Sequence, residues 1–294
     1  AAQHSPAGTA ILCHIPRLAV SSASWCFGLV VLFGLVVFRP RGETMQAAAL
    51  AAATAVGLSL GLWAQCRWRR AALAIRSADE NDMLTFVMRA LCDSGCDTKR
   101  YGNHVLLYLT SHTDDNVSSV AAGAAMARAA LPPGIQTLLL GLENEKLEPP
   151  TPCYGGPQVL EELLDRAGLS HERLPYELPY ANTLTEAETV IRECQRQNAM
   201  ALVVVAPPFH MPRALLTFLS VCAREMPALH VYAAAGGTAP GWWNAEVVHS
   251  QGVVRGVRTD LVQGEVERMR RYCAKGDLLT PREALQLLAR RDER

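Results

Sequence analysis

Residues 200–218 read MALVVVAPPFHMPRALLTF. The run from Met200 to Val205 is apolar without alternation, the pattern of a strand buried on both faces, as in a parallel sheet covered by helices. Pro207 and Pro208 lack the N–H that a sheet ladder requires, so the chain must leave the sheet there. A helix is expected to begin near Met211, because Pro212 suits a first turn, where its fixed φ is already helical and no N–H is needed. His210 then lies just outside the helix and Arg213 in its first turn, at the carboxyl end of the strand. Such a corner is an active site, an anion pocket or only a polar helix start.

The same punctuation recurs from about residue 101. HVLLYLT (104–110) reads as a strand, NVSSVAAGAAMARAAL (116–131) as a helix, IQTLLLGL (135–142) as a second strand, and PQVLEELLDRAGL (157–169) as an amphipathic helix ending at Gly168. An extended RLPYEL (173–178) leads into the helical NTLTEAETVIRECQRQ (182–197), and after the opening stretch ALHVYAAA (228–235) is another strand. Apolar strands alternating with helices predict an α/β fold with a mostly parallel sheet. Such sheets take ligands at the carboxyl ends of their strands, near a topological switch point. Residues 236–260 mix turns with strand-like pieces, and 264–294 read as two basic helices whose arginines form a solvated face.

The N-terminal quarter differs. Residues 18–38, including WCFGLVVLFGLVVF (25–38), and residues 44–66 carry no charge, and each run is close to the ~20 residues a helix needs to cross a bilayer. Only RPRGE (39–43) separates them, which predicts a transmembrane helical hairpin over 18–76, followed by a linker helix over 77–100. Arg67, Arg69, Arg70 and Arg76 follow the second run. The positive-inside tendency then leaves the large domain, 101–294, on a cytosol-, matrix- or stroma-like side. Residues 1–17 are Ser/Ala-rich and free of acids, resembling a transit-peptide remnant.

Lys+Arg 28 balance Asp+Glu 28, so no global field recruits nucleic acid. Nine cysteines without metal spacing fit buried small residues in a reducing compartment. The chain contains no phosphate-binding P-loop, no G-x-G-x-x-G and no G-x-S-x-G.

GLSHERLPYELPYANTLTEAETVI, ALVVVAPPFHMPRALLTF and GEVERMRRYCAKGDL together resemble the YdcF/SanA/ElyC-like family, the domain of unknown function 218 group, over roughly residues 101–280. The resemblance implies a Rossmann-like three-layer sandwich behind N-terminal membrane helices, with S-adenosylmethionine binding in one branch. It also implies an ancestral pocket built from Glu177, Asn182, Thr183, His210 and Arg213. There the free amides near Pro212 would face an anion, Arg213 would grip it and His210 would exchange a proton. A structural alternative stands beside it, since Thr183-x-x-Glu186 is also a capping box.

Several positions depart from the family pattern. A glycine loop after the first strand is replaced by TSHTDDN (110–116), and Gly155-Gly156 stand where an acid is expected. His112, Asp114 and Asp115 are a competing divalent-metal site, although Asp115 or Asn116 also suits a helix cap. The expectation is therefore a membrane-anchored, non-catalytic accessory subunit of an inner mitochondrial membrane complex. It faces the matrix, has no cofactor, and has the bilayer and other subunits as partners. The alternatives are a membrane-anchored enzyme or nucleotide- or S-adenosylmethionine-binding protein acting on an anionic ligand, and a bacterial envelope factor.

Overall fold

A computed structural model describes residues 65, 67, 79–93, 96–110, 112, 115–130, 135–142, 156–176, 178, 182–237, 241–249 and 254–293. By internal contacts the chain divides into Ala1–Leu73 and Ala74–Arg294. Apart from residues 65 and 67, the expected hairpin lies outside the described residues, as do Asp114 and Glu177. Among the described residues no helix is long and apolar enough to cross a membrane.

The second unit is α/β. Five parallel strands, β1 (Val105–Leu109), β2 (Gln136–Leu140), β3 (His171–Leu174), β4 (Ala201–Ala206) and β5 (His230–Ala235), form a sheet in the order β3-β2-β1-β4-β5. Helices α1 (79–91), α2 (Asn116–Ala130), α3 (Pro157–Ala167), α4 (Thr183–Arg196), α5 (Met211–Glu225), α6 (Arg258–Lys275) and α7 (Pro281–Asp292) flank it. The chain winds outward from β1 to β3, then returns past β1 to β4, so the switch point lies between β1 and β4.

Strand alternation divides the core between the two faces. Leu106, Tyr108, Leu202 and Val204 pack with α1, α4, α5, α6 and α7, whereas Val105, Leu107, Leu109, Val203 and Val205 pack with α2 and α3. β4 is buried at every position, which accounts for its unbroken apolar run.

The structure refines four expectations. The segment read as a linker helix contributes α1, whose Met83, Phe86 and Ala90 are buried in the same core as β1 and β4. The extended piece read at 173–178 lies upstream, as β3, because Pro175 has no N–H to continue the ladder. Between β5 and α6, Glu246–His249 (β6) and Val254–Val257 (β7) form an antiparallel hairpin beside a single 3₁₀ turn, Trp242–Asn244. α6 then starts at Arg258, ahead of the expected start at Gly264, which lies inside the helix at a cost of about 1 kcal/mol relative to alanine.

The outer edge of β5 is closed by side chains. The amide of Ala233 donates to Asp93 Oδ2 at 2.8 Å, and Arg291 Nη1 donates to the Val231 carbonyl at 2.7 Å. Asp93 and Arg291 are themselves paired at 2.7 Å, and the guanidinium lies 4.1 Å from the Tyr232 ring centroid. Open edges template unwanted pairing, and this buried ion pair occupies the groups a further strand would use.

Candidate functional site

Chain direction brings three loops together at the carboxyl ends of β1 and β4. Pro207 begins a turn in which the amides of His210 and Met211 both donate to its carbonyl at 2.9 Å. α5 begins at Met211 with Pro212 in its first turn, as expected, and His210 is the N-cap residue. The amides of His210 and Met211 are thus spent within the turn, and the side chains of this corner carry the remaining polar contacts.

Those side chains converge on Glu265, in the middle of α6. Its carboxylate, 2% exposed, accepts from His210 Nδ1 at 3.0 Å, from Arg213 Nε, and through Oε1 from Arg268 Nη1 at 2.7 Å. Arg213 Nη1 donates to Thr183 Oγ1 at 2.7 Å. A carboxylate only accepts, so Nδ1 of His210 carries the proton, and the 3.3 Å approach of Arg213 Nη2 to it is a contact rather than a bond. The His112 ring stands 4.8 Å from that of His210, edge to face, and 5.9 Å from Phe209.

Of the expected pocket, His210, Arg213 and Thr183 meet. Asn182 does not join them, because its side chain caps α4 by accepting from the Leu184 and Thr185 amides at 3.0 Å. The capping box read at Thr183 and Glu186 is therefore not formed. The cap lies one residue earlier, which frees Thr183 for Arg213. Glu186 turns inward and accepts from Tyr108 Oη at 3.3 Å. Burial raises its pKa above the usual carboxylate range, and the nearby Arg213 charge and the Tyr108 bond offset part of that rise.

Asp115 is likewise committed. Its oxygens accept from Arg258 Nη2 at 2.9 Å, Arg258 Nε at 3.4 Å and Trp242 Nε1 at 3.0 Å, and Asp115 is 1% exposed. Arg258 lies 4.5 Å from the Trp242 ring centroid and also donates to the Trp242 and Ala245 carbonyls. The expected metal site therefore has one ligand neutralised by a guanidinium. Asn116 does not cap α2 either, since its Oδ1 accepts from the His112 amide at 2.7 Å. Among the described residues no group of three metal-ligating side chains occurs. The Cys194 and Cys222 thiols, pushed up to about 12 by burial, behave as packing groups.

Sequence reasoning missed Glu265, Arg258 and Trp242. A signal existed, because Leu261, Glu265 and Met269 stand four residues apart and are all buried, so the carboxylate interrupts an apolar stripe of α6. Arg258, seven residues before Glu265, lies on the same face. α6 thus places a cation beside the loop after β1 and a carboxylate beside the loop after β4, spanning the switch point. No protein-family model, no curated protein and no solved structure matches the chain.

Proposed function

We propose that the protein is a membrane-anchored YdcF-like domain acting as a non-catalytic accessory subunit of a membrane complex. The observation that carries this reading is the internal use of Arg213, whose guanidinium is held by Glu265 and Thr183 at the switch point where an intact α/β enzyme would present it to a ligand. The charge-free runs 18–38 and 44–66 support a hairpin anchor, and the arginines after residue 66 support a matrix-like side, with the inner mitochondrial membrane as the proposed site. The alternative, an enzyme or S-adenosylmethionine-binding protein acting on an anionic ligand, draws on the same corner, because His210 and Arg213 stand where doubly wound sheets bind ligands.

One experiment separates the two readings. The native chain and Arg213→Ala are purified in mild detergent, and stability, co-purifying proteins and phosphoester turnover are compared. The accessory reading expects stoichiometric partners with the native chain. It expects the variant to lose roughly 1–3 kcal/mol through broken buried hydrogen bonds, and its partners with it. A variant that keeps stability and partners but loses a measurable turnover would show the corner to be catalytic.

A further inference from the structure

We infer that the corner around His210, Arg213 and Arg268 is an oxyanion-binding site of this protein, occupied by the Glu265 carboxylate as a tethered stand-in for a free anion. The inference deepens the reading of the corner as closed and rests on it. The first support is what surrounds the carboxylate. Three cationic or proton-donating side chains from two helices and a loop converge on two oxygens of one group: His210 and Arg213 on Oε2, Arg268 on Oε1. Convergent, charge-assisted donors of this kind recognise carboxylates and phosphates, and the planar guanidinium is the side chain best suited to them.

Location is the second support. The donors of His210 and Arg213 belong to the loop after β4 and the first turn of α5, beside the switch point, whereas Glu265 arrives from α6, outside the sheet. Side-chain accessibility agrees: Arg268 is 23% exposed and Arg213 12%, so the outer donors touch solvent while the carboxylate between them does not. α6 is pinned two turns upstream by the buried Arg258–Asp115 pair, so the helix holds Glu265 in place as a fixed strap. A tethered group has a high effective concentration and excludes a competing free anion.

Chemical complementation in the full-length chain tests the inference. Glu265→Ala removes a fragment that acetate replaces atom for atom, so acetate is the probe, with chloride at equal ionic strength as the reference. At about 50 mM acetate, tenfold above a dissociation constant of about 5 mM, the variant's Tm should rise by about 2–4 °C, saturably, while the native chain is unmoved. Inorganic phosphate giving the larger rise would assign the site to tetrahedral anions within the same class. Arg213→Ala added to Glu265→Ala should abolish the response, and Glu265→Gln, which fills the same space, should show none.

No acetate- or phosphate-specific rise in Glu265→Ala, or an equal rise in the native chain, the double variant or Glu265→Gln, would overturn the proposal. Should Glu265→Ala not fold in chloride, refolding in acetate alone supports the site, and refolding in neither overturns it. Co-purification of other subunits is a separate readout, so the accessory reading can fail while the anion response stands, and the reverse.

Discussion

Removing Arg258 should be the most damaging single change at the carboxyl end of the sheet. The guanidinium supplies two donors to Asp115, which is 1% exposed, and stacks on Trp242. Taking away one member of a buried pair leaves an uncompensated charge, costing about 3–5 kcal/mol, and a lost cation–π contact adds about 0.5–2 kcal/mol. Asp115 keeps only the Trp242 indole as a donor among the partners described above, so Arg258→Ala should cost about 4–6 kcal/mol. Asp115→Ala should cost less, about 3 kcal/mol, because Arg258 retains the Trp242 and Ala245 carbonyls and the aromatic face.

Urea unfolding measures both. With an m-value of about 3 kcal/mol/M, a loss of about 5 kcal/mol moves the midpoint by roughly 1.7 M. The double variant should be more stable than the sum of the two losses predicts, with a coupling of about 2–3 kcal/mol. Amide exchange of Val247 in β6 should accelerate in the same order, since the pair ties the 3₁₀ turn and hairpin to the sheet. An Arg258→Ala cost below about 1 kcal/mol, or strictly additive losses, would refute the claim that this pair fastens α6 across the switch point.

Two further outcomes follow from local geometry. The raised Glu186 pKa means that the folded chain holds that proton more tightly than the unfolded chain. Its contribution to stability is present below the unfolded value of about 4.3 and is lost as pH rises through the folded value. Glu186→Gln should therefore match the native chain at about pH 4 and exceed it in urea midpoint at about pH 7.5, and a less stable variant at the higher pH would contradict the assignment. At the end of β2, a Cβ on Gly141 would stand 2.8 Å from the Leu174 carbonyl oxygen, which accepts from the Gly141 amide at 2.7 Å. Gly141→Ala should cost about 1–3 kcal/mol and speed exchange along β3, and a neutral result would mean that β3 shifts freely.

Much of the fold was legible because its signals are local. The unbroken apolar run of β4, the two prolines after it and Pro212 specify a buried strand, a forced exit and a helix start without reference to the rest of the chain. Gly168 ends α3 in the left-handed conformation expected of a glycine there, with φ 70° and ψ 30°. The meeting of His210, Arg213 and Thr183 was legible one step further, since the carboxyl ends of parallel strands share one edge of the sheet. What acts on that corner was not legible. Glu265 lies 55 positions from His210, and nothing in its neighbourhood states which buried cation it will meet. Asp115 and Arg258 are 143 positions apart, so a sequence reader sees an acid near a strand end and thinks of metal before arginine. The packing of α1 was not legible for the same reason, because its apolar face has a partner only once the strands are assembled.

The edge of β5 has a consequence for synthesis. The two side chains that close it, Asp93 and Arg291, are 198 positions apart, one ahead of β1 and the other in the last turn of α7. β5 emerges from the ribosome long before Arg291 does. Until Arg291 has been translated and α7 has docked, a nascent chain with all five strands paired still presents the Val231 carbonyl to whatever strand is nearest. The sheet is therefore sealed only after α7 has been made and docked, and a chain stalled short of Arg291 would be a folded core with one side left open.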